Sequence, residues 1–265
     1  MCKYFSVIAI VFFEITSVPA QVQDSSSKKT IIDEIQKNMV LVEAGTFKMG
    51  CTQEQGSECN EGEKPAHTVI LKSFQISKFE VTQQLYKAVM DTNPAYHQFC
   101  AKCPVEQVSW EDCQNFIRIL DSISGKHFRL PTEAEWEFAA RGGNKSQQYK
   151  YSGSNTNDSV GWDSDNSNYR THIVGDKKSN ELTLFDMSGN VSEWCNDRYG
   201  KYIDTTLVNP TGPVDGDNRR IARGGSYHQG GGRSSASENC RVSCRELYSP
   251  VYKEYYIGFR IASDE

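Results

Sequence analysis

Arg129-Leu-Pro-Thr-Glu-Ala-Glu-Trp-Glu-Phe-Ala-Ala-Arg-Gly-Gly143 places a helix start, an apolar face and a stop in one short stretch. Thr132 with Glu135 three residues on is a capping box: each side chain satisfies an amide that the first helical turn leaves unpaired. Trp136, Ala139 and Ala140 follow at helical spacing, and Glu135 and Arg141 are expected partners in a half-buried network. Upstream, Ser109-Trp-Glu-Asp112 repeats the capping pattern ahead of Cys113, Phe116, Ile117 and Leu120. Thr82 caps a third short helix with Leu85, Ala88 and Val89 on one face. Earlier still, Met39–Gly50 reads as strands joined by a tight turn, and His67–Ser77 as a further strand, with a charged loop over 51–66 between them. Beyond residue 141, Gly, Asn, Ser, Asp and Tyr dominate and helical periodicity stops. Short strands are expected at Arg220–Arg223 and Tyr256–Ala262. Loops of that length are functional or disordered. Their aromatic content argues against disorder, so metal ions or disulfides are expected to hold them.

The 265 residues suit one large domain, with 37% hydrophobic and 24% charged residues and a net charge of −5. No basic stripe is present, which argues against nucleic-acid binding. Residues 1–20 carry Lys3, an apolar run from Phe5 to Phe13, and Val18-Pro19-Ala20. That is the pattern of a secretory signal peptide, and the run is too short to span a bilayer. Residues 21–37 read as a flexible polar lead-in to a domain over 38–265. A secreted or periplasmic location follows, with no transmembrane segment after signal removal. Of nine cysteines, Cys2 leaves with the signal, and an even set in an oxidising compartment suggests disulfides. Cys51 and Cys59 flank one loop, Cys100 and Cys103 suit a local bridge, Cys195 and Cys240 suit a link between distant segments, and Cys113 suits burial. Spacing alone leaves the connectivity open.

Seven segments in order carry a family resemblance. They are Phe47-Lys-Met-Gly50, Phe79-Glu-Val-Thr82, Pro104-Val-Glu-Gln-Val-Ser-Trp110, Arg129–Gly143, Leu184-Phe-Asp-Met-Ser-Gly-Asn-Val-Ser-Glu-Trp194, Arg223-Gly-Gly-Ser226 and Gly258-Phe-Arg260. Together they resemble the formylglycine-generating enzyme (sulfatase-modifying factor) family over about residues 39–262. The resemblance implies an α+β, C-type-lectin-like fold: a twisted mixed sheet, few helices and many long loops stabilised by calcium. Asp186, Gly189, Val191 and Glu193 fall on the family's calcium-binding positions, and their carboxylates and carbonyls are the hard oxygen donors calcium takes. A second calcium site is expected near residues 157–176, with Asn157, Asp158 and Asp176 as candidates.

The resemblance also implies an activity, oxidation of a sulfatase cysteine to formylglycine by oxygen and a copper(I) ion held by two cysteines. Soft thiolates select Cu(I). Counting forward from Gly225 puts the first copper position near Gln229, and counting back from Arg245 puts the second near Ser237. Neither is cysteine, so copper is not expected, and Cys240 and Cys244 are the only displaced candidates for catalysis. The expected function is therefore a calcium-stabilised binding or scaffold module for a protein, peptide or glycan. Tyr227, Tyr248, Tyr252, Tyr255 and Tyr256, spaced by small polar residues, have the composition of a binding surface. A divergent oxidase and a structural part of a cell-envelope assembly are the alternatives.

Overall fold

A computed structural model describes residues 20–98, 100–215, 217–228 and 236–265. The signal-peptide reading of residues 1–20 falls almost entirely outside them, as does Gln229. Helix α1 (Ala20–Lys37) opens the described chain. Residues 21–37 are thus helical where a flexible lead-in was expected. Ile31 and Ile35, one turn apart, are buried in the core beside Val81, Tyr86 and Val89, and that apolar pair anchors an otherwise polar helix.

Strands β1 (Met39–Val42), β2 (Gly45–Met49), β3 (His67–Leu71) and β4 (Phe74–Ser77) follow. β1 and β2 do not pair with each other. β1 lies antiparallel to β4, with Met39 opposite Ser77 and Val42 opposite Phe74. β2 lies antiparallel to β3, with Gly45 opposite Leu71 and Met49 opposite His67. The register continues unbroken from one pair to the other, so the four strands form one long hairpin kinked at Glu43-Ala44 and Lys72-Ser73. Each half enters its own sheet: β10 (Ala262–Asp264) extends the first and β6 (Leu207–Val208) the second. A third sheet has the order β8-β7-β5-β9, built from β5 (Ser192–Arg198), β7 (Arg220–Arg223), β8 (Arg245–Tyr248) and β9 (Ile257–Gly258). The β3–β6 and β5–β9 pairs are parallel and the others antiparallel, giving the mixed sheets expected.

Three further helices complete the core: α2 (Gln83–Met90), α3 (Trp110–Ser124) and α4 (Glu133–Ala140). Their caps are those read from the sequence. Thr82 accepts from the Leu85 amide at 3.2 Å, and capping boxes close α3 through Ser109 and Asp112 and α4 through Thr132 and Glu135. Cys113, Phe116, Ile117 and Leu120 are buried as a face. On α2 the buried face is Gln83, Tyr86 and Val89, and Ala88 is exposed. The helix is rotated so that the Tyr86 ring stacks on Phe116, with centroids 5.4 Å apart.

Buried arginine–glutamate pairs tie the long loops to this frame. Arg241 holds Glu63 through two 2.7 Å hydrogen bonds. Arg245 grips Glu133 at 2.6 and 2.8 Å, and Arg223 pairs with Glu137. Glu135 does not pair with Arg141. It takes Arg129 at 2.6 and 2.8 Å, while Arg141 reaches Glu137 and Glu54. Two local disulfides form, Cys51–Cys59 and Cys100–Cys103. Cys195 and Cys240 do not bridge distant segments; with Cys113 and Cys244 they remain buried thiols.

Candidate functional site

The turn from Leu184 to Trp194 reverses direction in little space. Asp186, Gly189 and Asn190 all adopt positive φ (58°, 129° and 65°), where asparagine, aspartate and glycine are tolerated best. This geometry brings three buried carboxyl groups, Glu80, Asp186 and Glu193, around Arg260. Glu80 accepts from the Asn190 side chain at 2.6 Å and the Val191 amide at 3.1 Å. Glu193 accepts from Trp136 Nε1 at 2.7 Å and from Arg260 Nε and Nη2, each at 2.6 Å. Asp186 Oδ2 accepts from the Gly175 amide at 2.7 Å, and its Oδ1 is buried with no hydrogen-bond partner.

Three acids and one guanidinium leave an excess of negative charge. Burial first, then the charges of Asp186 and Glu193, push Glu80 well above the usual carboxylate range. Burial pushes Asp186 up to about 7, against the Gly175 amide and Arg260. Such a cluster either takes up protons or accepts a cation. Of the four calcium candidates, Asp186 offers an orphaned hard oxygen, and Gly189 and Val191 lie on the same turn. The Glu193 carboxylate already carries three charge-assisted hydrogen bonds.

The residues of the second set, Asn157, Asp158 and Asp176, have separate partners. Asn157 is buried and donates to Asp163 Oδ2 at 2.8 Å. Asp158 faces outward, toward Asn166 and Lys177. Asp176 is exposed, with its charge bearing on Asp186. Among the described residues no group of three or more His, Cys, Asp or Glu side chains is arranged to hold a metal.

Cys240 and Cys244 are both buried. Burial, then the charges of Asp163 and Cys244, push the Cys240 thiol well up, so the thiolate that copper(I) requires is disfavoured. Ser237 lies in the 3-10 turn Ala236–Cys240.

Elsewhere an aromatic ladder runs from the core to the surface. Trp194 meets Tyr248 edge-on at 5.9 Å, and Tyr248 stacks on Tyr252 at 4.8 Å. Tyr252 Oη hydrogen-bonds Tyr256 Oη at 3.0 Å. His228 stacks on Tyr256 at 5.6 Å and meets Tyr255 at 5.1 Å. Tyr96 closes the ladder 5.7 Å from Tyr255 and is 66% exposed. Tyr227 is fully buried beneath, its hydroxyl donating to the Tyr255 carbonyl at 2.8 Å. The phenol proton being spent there, the 2.8 Å contact with His97 Nε2 is donated by the imidazole. Of the tyrosines singled out in the sequence, Tyr227 is thus a support, while Tyr252, Tyr255 and Tyr256 are half-buried. Tyr96 and His97 went unnoticed there because they come from a segment more than a hundred residues upstream.

Glu106 fixes that segment. Its carboxylate accepts from the Tyr96 and His97 amides at 2.9 and 2.8 Å, yet burial holds it up to about 7. A carboxyl raised on folding contributes stability that is full below its ordinary value of 4.5 and is lost as pH rises to about 7. Wild-type stability is therefore expected to fall by about 1–2 kcal/mol relative to Glu106→Gln between about pH 5 and pH 7.5. Parallel urea titrations of the two proteins check this; curves that stay parallel across the range would remove Glu106 as the titrating group.

A family model, the sulfatase-modifying factor enzyme 1-like domain, matches residues 26–265. The chain is 32% identical over 238 residues to the chaperone protein LppX of Paenibacillus barcinonensis, covering 70% of this chain and 79% of that one. It is 27% identical over 293 residues to the formylglycine-generating enzyme of Streptomyces coelicolor, covering 86% and 90%. Among solved structures, Treponema denticola variable protein 1 is similar with a TM-score of 0.76 and 29% identity, over 86% of this chain and 95% of that one.

Proposed function

The chain belongs to the sulfatase-modifying factor enzyme 1-like family, and from that premise we propose that it is an exported, calcium-stabilised binding module rather than a copper oxidase. The observation that carries this reading is the aromatic ladder. Rings from four separate segments are stacked and hydrogen-bonded into a fixed array that ends at Tyr96 and Tyr255. Preorganised aromatic side chains supply large contact area at low entropic cost, for a glycan ring face or a peptide side chain alike. Against the oxidase stand the burial of Cys240 and Cys244 and the raised Cys240 thiol.

Calcium would sit at the turn beneath, on Asp186 Oδ1 and the main-chain carbonyls of Gly189 and Val191, offsetting the charge that Arg260 alone faces. The export part rests on residues 1–20. No helix among the described residues is long and apolar enough to cross a membrane.

Labelled mature protein on glycan and peptide arrays, in calcium and in chelator, tests the reading. Binding is expected in calcium and is expected to drop about tenfold or more in Tyr96→Ala and Tyr255→Ala, the loss typical of a central aromatic contact. Signals unchanged by both substitutions would sink the aromatic face. Turnover of a Cys-x-Pro-x-Arg peptide by copper-loaded protein would restore the oxidase.

A further inference from the structure

Away from the ladder, a cavity of about 480 Å³ lies between the end of β5, the loop Gly200–Pro213 and the first residues of α4. Its size is within the range of small-molecule sites. Met49, Ile203, Leu207, Pro210 and Pro213 give it apolar walls. Asp197 also lines it and is only 4% exposed. The Glu133 amide donates to Asp197 Oδ2 at 2.9 Å. No other hydrogen bond and no ion pair reaches this carboxyl among the described residues, so Oδ1 is the atom left for a ligand.

Arg198, Lys201 and Arg245 also line the cavity, and Lys201 is exposed to solvent. Arg245 gives Nε and Nη2 to Glu133 and Nη1 to the Gly62 and Gly200 carbonyls. Arg198 is turned to the Val214 carbonyl at 3.0 Å. A ligand in the cavity would meet the Asp197 carboxyl, whereas the Arg245 guanidinium beside it is fully engaged. Burial, then the Glu133 charge, push Asp197 up to about 8, with the Glu133 amide and Arg245 only partly opposing them.

We propose that this cavity is a binding site for a small primary ammonium ion with an apolar body, the ammonium pairing with Asp197 and the body lying against the Met49, Leu207 and proline walls. The site is independent of the aromatic ladder. An ammonium there makes the charge-assisted hydrogen bond that the buried carboxyl lacks, and the walls reward an alkyl or aryl body.

The test is calorimetric titration of the full mature chain with phenethylammonium and with 2-phenylethanol, which has the same body without the charge. The amine is expected to bind at least about tenfold tighter, a difference of about 1.4 kcal/mol. Asp197→Asn keeps an acceptor for the Glu133 amide and is expected to remove that preference. Ile203 is 57% exposed, so Ile203→Trp can fill the mouth without disturbing the core, and it is expected to weaken the amine by a similar factor. Equal binding of amine and alcohol, no binding of the amine, or an amine affinity untouched in both variants would overturn the assignment.

Discussion

Glu193→Ala is expected to lower stability by about 3–5 kcal/mol, the range for removing one partner of a buried ion pair. Glu193 and Arg260 have no exposed side-chain surface. The substitution deletes three charge-assisted hydrogen bonds and leaves a guanidinium hydrogen-bonded only to the carbonyls of Ser77, Lys78 and Phe185. Domains of this size are stable by about 5–15 kcal/mol, so the loss is a large share of the total and should move the unfolding midpoint far below that of wild type. Glu193→Gln keeps the volume and an acceptor for Trp136, and should fall between it and wild type. Urea unfolding followed by tryptophan fluorescence is the measurement, since Trp136 and Trp194 are wholly buried. The competing possibility is specific: Glu80 and Asp186 lie close enough to act on Arg260. A loss below about 1 kcal/mol would mean that they take over the guanidinium, and that Glu193 is free for another role.

Gly161→Ala should be nearly as severe, for a reason unrelated to charge. A Cβ at residue 161 would lie 1.6 Å from the Ser188 carbonyl oxygen, and one at Gly189 would lie 2.4 Å from that of Trp162. Two backbone segments thus lie flush, joined by the Asn190 amide donating to the Trp162 carbonyl at 2.8 Å. Neither neighbour is a flexible side chain that can swing away, so the backbones must separate and the turn carrying Asp186 must shift. The expected cost is about 3 kcal/mol or more, at the upper end for overpacking. Gly62→Ala is the control, because a Cβ there meets nothing within 4 Å, and it should be neutral to within about 0.5 kcal/mol. Thermal unfolding of both variants decides the matter: equal midpoints would show that the close approach is not required.

Local chemistry was readable in the sequence where one element contains its own explanation. The capping boxes at Ser109 and Thr132 and the buried face of α3 need only neighbours three or four residues away. The local pairs Cys51–Cys59 and Cys100–Cys103 were legible for the same reason. Partners chosen by tertiary packing were not. Glu135 has arginines on both sides in sequence, and only the placement of the 129–131 segment decides for Arg129. Glu193 announces a carboxylate, yet its guanidinium arrives 67 residues later. Helix α1 was hidden by a serine-rich stretch, with only Ile31, Ile32 and Ile35 at its end to suggest helical spacing. The kink in the first hairpin was invisible because Glu43-Ala44 and Lys72-Ser73 carry no glycine or proline to mark it. At the candidate sites, Asp186 could be singled out from its turn, whereas Tyr96, His97 and Asp197 gain significance only from segments distant in sequence.

That kinked hairpin has a consequence for how reliably the chain finds its structure. A slip by one residue turns a strand's buried side chains outward. Here β1–β4 and β2–β3 share one register, and both halves bury apolar side chains in the same core, Phe74 and Ile76 from one and Val69 and Leu71 from the other. A misaligned start cannot be absorbed locally, because the error is carried across the bend and exposes apolar residues in two sheets at once. The shared register therefore works as a double check on alignment, since a single slip is penalised in both sheets.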